Sequence, residues 1–362
     1  MSRYVYRKME RRDHEALSVL HENHLGCAPR DNDFFEWKYW RSPGGPHESV
    51  VAEETDTGRI VGELGGIAVM MRYFGTTGPV YFDVDVVIDR DAARGRIFFP
   101  IYRKRLEFIA ERKVPSVPLN CSFTIPKTLK IMSKTWKIRG VAPAPKLAKV
   151  LKHGAYISRK TGSKLIAGAG GLLLDLWSSV RYPMIAPRQI DVTEVDAFDA
   201  GADALWERMK DYYNIWVVRD RKFLNWRYVD IPHVENTILV AREKDALLGY
   251  LVINFQDDNK RAGVIQDFQF LKERKDAGRA LLRKGIDFLK GVGSEVAIIW
   301  DFDHTHTHAI LAEFGFGTRE TTGRHFCVRE AIELEESVIQ IPFERARERT
   351  SWFLGKGDAD DD

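Results

Sequence analysis

Phe35-Glu36-Trp37-Lys38-Tyr39, followed by Pro43, returns later in the chain as Leu224-Asn225-Trp226-Arg227-Tyr228, followed by Pro232. The two tryptophans stand 189 residues apart, far too long for a solenoid period and right for two copies of one domain. Each motif leads into a strand and then a second strand that reaches a glycine. These are Ser49-Val50-Val51-Ala52 and Arg59-Ile60-Val61-Gly62 in the first copy, and Thr237 to Ala241 and Leu247 to Leu251 in the second. Further on, Val84-Asp85-Val86-Val87 answers Gln266-Asp267-Phe268-Gln269, and each precedes an amphipathic helix. Phe98, Ile101, Tyr102, Leu106 and Ile109 form one apolar stripe, and Leu282, Gly285, Ile286 and Leu289 the other, at spacings that suit a 3.6-residue period. An apolar strand, a second helix and a short aromatic segment close each copy. The pattern reads as a tandem duplication.

Composition limits the alternatives. A 362-residue chain with 44% apolar and 30% charged residues is that of an ordinary globular protein with room for two cores. A formal charge of +3, with the basic residues spread out, gives nucleic-acid binding no support. Cys27, Cys121 and Cys327 are far apart, odd in number and without a CxxC pair, which argues against a disulfide framework or structural zinc and for a reducing cytoplasm. The stretch from Met1 to Arg12 is charged and lacks an apolar signal core.

The chain divides into an N-terminal domain over 1–142, a linker with a helix over 143–188, a second domain over 189–330, and a C-terminal extension over 331–362 whose acidic end reads as a frayed, solvating tail. Asp13 is a candidate cap for the first helix. Within the linker, Leu165 to Val180 is apolar apart from Asp175, and is preceded by Lys146, Lys149, Lys152, Arg159, Lys160 and Lys164 with no acid among them. Spanning a bilayer needs about 20 uninterrupted apolar residues. The segment therefore reads as an interdomain helix or, through 146–180, a peripheral membrane contact.

Each copy reads β-α-α-β-β-β-α-β-α. This order, with a basic glycine-containing turn before the helix that follows the fourth strand, resembles the GNAT fold of acyl-CoA-dependent N-acyltransferases. The likeness covers both halves. More narrowly, the Trp-Lys/Arg-Tyr opening is similar to GNAT-like proteins of bacterial surface-polysaccharide or natural-product pathways. The resemblance implies an α/β fold of two tandem GNAT-like domains, each a mixed, mostly antiparallel sheet flanked by helices. It also implies acetyl-CoA or another acyl-CoA as cofactor and an amine of a small molecule or amino sugar as acceptor.

In that family the turn carries Arg/Gln-x-x-Gly-x-Gly/Ala, where backbone N–H groups at a helix start face a pyrophosphate and glycine permits close approach. Lys275-Asp276-Ala277-Gly278-Arg279-Ala280 meets the pattern with lysine leading. Arg94-Gly95-Arg96-Ile97 departs from it: Ile97 stands where a small residue is wanted, leaving the arginines to hold phosphate by charge-assisted bonds. Asn120 stands where the family often has a cofactor-bonding asparagine.

Acyl transfer to an amine needs a base for the ammonium proton and an acid for the leaving thiolate. By strand alternation Tyr81, Asp83 and Asp85 share one face, as candidate catalytic groups or as a solvated sheet surface. In the second copy Asp267 matches Asp85, while Ile265 replaces the earlier carboxylate. No acid is assignable. Cys121 reads as a buried structural thiol. The run from Asp301 to His308 invites a metal reading, but no further ligands complete a site, so no metal is expected; Asp303 is the candidate cap of the helix that follows. Two other readings compete: a FemAB-like transferase using aminoacyl-tRNA, and a non-catalytic GNAT-like binding protein.

Overall fold

Alternating and continuous apolar runs fold into two mixed sheets, seen in a computed structural model that describes residues 3–26, 29–90, 97–111, 119–162, 164–182, 190–318, 323–330 and 343–359. The first half runs β1 (Tyr4–Lys8), α1 (His14–Leu25), α2 (Asn32–Phe35) continued as a π-helical turn over Glu36–Trp40, β2 (Val50–Glu54), β3 (Ile60–Tyr73), β4 (Thr76–Ile88), α3 (Phe98–Ala110), β5 (Leu119–Thr124), α4 (Pro126–Thr135) and β6 (Arg139–Pro143). A connecting region holds β7 (Lys146–Val150), α5 (His153–Thr161) and α6 (Lys164–Arg181). The second half runs β8 (Asp191–Val195), α7 (Ala200–Met209), β9 (Ile215–Val217), α8 (Arg221–Tyr228), β10 (Thr237–Glu243), β11 (Ala246–Phe255), β12 (Ala262–Phe270), α9 (Lys275–Gly291), β13 (Val296–Trp300), α10 (His308–Glu313), β14 (Gly317–Thr318), β15 (His325–Glu330) and α11 (Phe343–Ala346).

The first sheet has the order β1-β2-β3-β4-β5-β15-β6, with β9 added on β3; the second has β14-β7-β13-β12-β11-β10-β8. Among the described strands all pairings are antiparallel except β4 with β5 and β12 with β13, which are parallel. In each sheet the strand entering the parallel pair carries one extra residue. Asp85 and Val86 together oppose Leu64, and Gln266 is the extra residue between Val252 and Ile253 of the neighbouring strand. Such bulges bend and twist a strand and re-aim its side chains.

The halves meet through their repeated motifs. The Trp37 Nε1–H donates to the Trp226 carbonyl at 2.6 Å, and the Trp226 Nε1–H donates to the Trp37 carbonyl at 2.9 Å. Their rings stack at 5.2 Å with 18° between planes. Around them Phe35, Tyr39 and Met71 of the first half and Leu224, Tyr228 and Leu251 of the second belong to one continuous core.

Several segments lie elsewhere than the sequence places them. Lys146–Val150, expected in the linker, is a strand of the second sheet, where its unpaired edge finds β13. His325–Glu330, expected to finish the second domain, crosses to the first sheet and pairs β5 and β6. Ile215–Val217 likewise joins the first sheet on β3. The C-terminal extension is not a solvating tail over its described part: Trp352, Phe353 and Leu354 are buried, and so is Asp358, because an arginine inside the core pairs with it. Asp13 makes no side-chain cap bond; its carboxylate pairs with Arg7 at 2.8 Å and accepts from the Glu10 N–H. The later helix starts at His308 rather than next to Asp303, because the Asp301 carboxylate gathers Thr305, Thr307 and His308 into the preceding turn. Among the described residues no helix is long and apolar enough to cross a membrane.

Candidate functional site

Strands β4 and β5 pair only over Tyr81–Asp83 and Asn120–Ser122 and then diverge. Beyond Asp83, the β4 edge that faces β5 has no strand partner among the described residues, leaving backbone donors and acceptors for a ligand. The split opens into a cavity of about 990 Å³ that reaches from the first sheet to the second. Its apolar walls include Phe82, Val84, Phe98, Phe123, Met132 and Trp300. Its polar wall holds Asp83, Asp85, Lys38 and Arg30. A mostly apolar concavity with a few convergent charged groups is the usual form of a small-molecule site.

The bulge decides which way the carboxylates point. Asp85 has φ 44°, a left-handed conformation that Asp tolerates at modest cost. Alternation therefore breaks there, and Asp83 and Asp85 do not share a face. Asp83 turns toward α3, where it bonds the buried Arg105 and accepts from Asn120 Nδ2 at 3.2 Å. Asp85 turns toward α1 and the π-helical turn, accepting from Lys38 Nζ at 2.6 Å, Tyr39 Oη at 2.6 Å and Arg30 Nη1 at 3.3 Å. Tyr81 is buried beside Asn120, its partner in register.

Behind Asp85 the bonds continue inward. Tyr39 Oη lies 2.9 Å from Glu63 Oε1, and Glu63 Oε2 lies 2.5 Å from His21 Nε2. Tyr39 has one hydrogen and meets two carboxylates, so one of these must bring a proton of its own. Burial raises the Glu63 pKa, and the bonds from His21 and Tyr39 do not cancel it. Burial acts on Asp85 too, but the charges of Lys38, His21 and Arg30 outweigh it and hold the carboxyl below its ordinary range. Burial would lower the His21 pKa, yet the Glu63 partner raises it. The proton accordingly sits on the Glu63–His21 side, and Asp85 is the ionised end at the cavity. The series Asp85, Tyr39, Glu63, His21 is a continuous hydrogen-bonded path from the cavity wall into the interior. His21, Glu63 and Asp85 stand close enough together to hold a cation, but Lys38 already supplies the positive charge Asp85 needs.

The matching opening in the second sheet is closed by the chain itself. Strands β12 and β13 pair through Ile265 and Ile299 and then separate. Residues 355–359 lie there: a Cβ on Gly355 would stand 3.3 Å from the Gln266 carbonyl, Lys356 Nζ lies 5.3 Å from the Trp300 ring centre, and Ala359 is buried against Trp300. Arg219, fully buried, bonds Asp267 at 3.2 Å and both Asp358 oxygens at 2.7 and 2.8 Å. Arg227 donates to the Gly357 and Ala359 carbonyls at 2.8 Å each. Gly357 passes so close to Tyr228 that a Cβ would lie 2.0 Å from the phenol oxygen, which only glycine accommodates.

Of the phosphate turns, Arg94, Gly95 and Arg96 lie outside the described residues. In the second, Lys275 opens α9, but Asp276 stands in the first turn and pairs with Arg274 at 2.8 Å, placing negative charge where an anion would approach. Gly278 is buried against Phe270 and Ile310, Arg279 pairs with Glu313 at 2.8 Å, and Ala280 is buried. These contacts give the glycine and arginine structural partners. Cys121 is buried, and burial raises its thiol well above the ordinary value, so it is no nucleophile. Lys38, Arg30, Glu63 and His21 escaped the sequence reading. Lys38 sits inside the repeated motif, and Glu63 is the one acid in the otherwise apolar first half of β3.

No protein-family model matches the chain, and comparison with curated protein sequences gives no match. Solved structures share its fold. An Enterococcus faecalis V583 protein described as a probable N-acyltransferase superposes with a TM-score of 0.63 at 11% identity, over 93% of this chain and 75% of that one. A GCN5-related N-acetyltransferase from Anabaena variabilis gives 0.61 at 12% identity, over 91% and 73%. The Saccharomyces cerevisiae N-myristoyltransferase crystallised with myristoyl-CoA gives 0.59 at 11% identity, over 91% and 79%. The chain thus has the GNAT-type fold of these N-acyltransferases.

Proposed function

We propose that this protein is an acyl-CoA-dependent N-acyltransferase that binds its donor in the first cleft. The reading rests on one contrast: β4 and β5 split over an open cavity, whereas the equivalent split in the second sheet is filled by residues 355–359. An extended, amide-bearing donor would add along the free edge of β4 beyond Asp83, with its acyl group in the apolar end of the cavity. The donor is acetyl-CoA or a larger acyl-CoA, and a cavity of about 990 Å³ has room for more than an acetyl group. The acceptor is an amine of a small molecule or amino sugar. The ionised Asp85 would hold its ammonium group at the cavity wall; after one proton is lost to solvent the nitrogen attacks the thioester carbonyl, the C–S bond breaks, and a second proton leaves with the thiolate as the CoA thiol. Direct transfer then needs no nucleophilic side chain. The two halves would have arisen by duplication and diverged, one keeping the open cleft.

The test is calorimetric titration of CoA, acetyl-CoA and a long-chain acyl-CoA into the wild type and Val86→Trp. Val86 lines the cavity and is exposed, so the indole fills the mouth without disturbing the core. Binding to the wild type that the variant loses is expected. Failure of the wild type to bind any of the three would sink the reading.

A further inference from the structure

Helix α6 carries its apolar face outward. Leu172 is 73% exposed, Leu173 69%, Leu176 64%, Trp177 57% and Val180 76%. At about 100° per residue these five fall within an arc of about 140°. The opposite arc holds Gly171 and Asp175, and it is this small and polar side that packs on α5. A Cβ on Gly171 would lie 2.4 Å from the Gly154 backbone, and Asp175 bonds the His153 ring at 2.6 Å. The hairpin of α5 and α6 is therefore built inside out compared with a helix that covers a core, and it is held in that orientation by contacts an apolar inner face would not need.

Charge says what covers the outer face. The hairpin over residues 152–181 contains five lysines or arginines and one acid, and that acid, Asp175, is turned onto His153. Lys152 and Arg181 are exposed at the two ends of the hairpin, and Tyr156 and Trp177 add the amphipathic rings that settle at a headgroup boundary. A second copy of the chain would bring this positive region against itself; an anionic bilayer complements it. With 18 residues, α6 lies along a surface rather than through it. We infer that α6 is a membrane-surface anchor that docks the protein on bilayers containing anionic phospholipid, with Leu172, Leu173, Leu176, Trp177 and Val180 entering the headgroup boundary.

The test is co-sedimentation of the full chain with large unilamellar vesicles of phosphatidylcholine alone and of phosphatidylcholine with phosphatidylglycerol. Binding to the mixed vesicles is expected, with weaker binding to neutral ones and loss of affinity as salt shortens the screening length below about 10 Å. Leu172→Glu with Leu176→Glu should lower partitioning by at least about tenfold, since two leucines leave the apolar phase. Because both positions are exposed, the circular dichroism spectrum and Tm of the double variant should match the wild type. Quenching of tryptophan fluorescence by brominated lipid should disappear in Trp177→Phe. The inference is overturned if the wild type sediments with neither vesicle. It is equally overturned if the wild type is a dimer that the double substitution dissociates, because a second copy then covers the face.

Discussion

Trp37 and Trp226 each donate their indole N–H to the other's backbone carbonyl while their rings lie stacked, so one pair of residues makes two hydrogen bonds and an aromatic contact between the two halves. The arrangement is reciprocal: what one residue does for its partner, the partner does in return. Both are buried, so water cannot replace either bond.

Trp37→Phe and Trp226→Phe should each keep most of the packing but strand a buried carbonyl, costing about 1–3 kcal/mol. The double variant should cost measurably less or more than the sum, by about 0.5–3 kcal/mol, because the two rings touch. Urea unfolding of the four proteins measures this. Strict additivity would show the pair is not coupled.

Asp85→Asn leaves Lys38, which is 1% exposed, without its ionised partner, and removal of one member of a buried pair costs about 3–5 kcal/mol. Lys38→Met with Asp85→Leu removes both charges and should recover a large part of that loss. A double variant no more stable than Asp85→Asn would show that the pair is not what holds this corner.

Stability should depend on pH through His21 and Glu63. Both pKa values are raised in the folded state, His21 from an ordinary 6.5 and Glu63 from 4.5. A raised folded value gives stability that is complete below the unfolded pKa and lost as pH rises through the folded one. Asp85, held low, works in the opposite sense, and its contribution is lost only in strong acid. The urea midpoint should therefore fall as pH rises, through Glu63 from about 4.5 upward and through His21 from about 6.5 upward. Glu63→Gln should flatten that slope, and an unchanged slope would remove His21 and Glu63 as its source.

Gly357→Ala puts a methyl group within 2.0 Å of the Tyr228 oxygen, against a buried ring whose hydroxyl is held by Asp267. A loss of about 1–3 kcal/mol is expected, together with faster proteolysis in residues 343–359. Equal digestion of variant and wild type would show that the segment can shift without opening.

Gly278→Val drives a β-branched side chain into Phe270 and Ile310. It should lower stability by about 1–3 kcal/mol while acyl-CoA affinity stays the same, since the donor is proposed for the other half. A selective loss of affinity would move the donor to the second cleft.

The repeated motif and the strand and helix periods were readable because they are local: apolar spacing around Trp37 and Trp226 is set by the elements that carry it. The exchange of His325–Glu330 into the first sheet was not, since its alternating pattern marks a strand without naming a neighbour. The reversal of Asp85 was hidden for a related reason. A strand's faces are counted by twos, and one bulged residue at φ 44° turns the count over without altering composition. The burial of residues 352–359 did leave a trace, because Trp352-Phe353-Leu354 is an apolar run inside a charged extension. The charged run that follows concealed it, because the Asp358 carboxyl is buried against Arg219 rather than turned to solvent.

The crossing of β15 bears on how the chain reaches its native state during synthesis. The first sheet lacks the strand between β5 and β6 until residues 325–330 have left the ribosome, so the half made first cannot be finished first. Until then β5 presents an unsatisfied edge to its surroundings, the kind of surface that invites pairing with other nascent chains. A fragment ending at residue 142 lacks β15 and keeps that edge of β5 without its native partner.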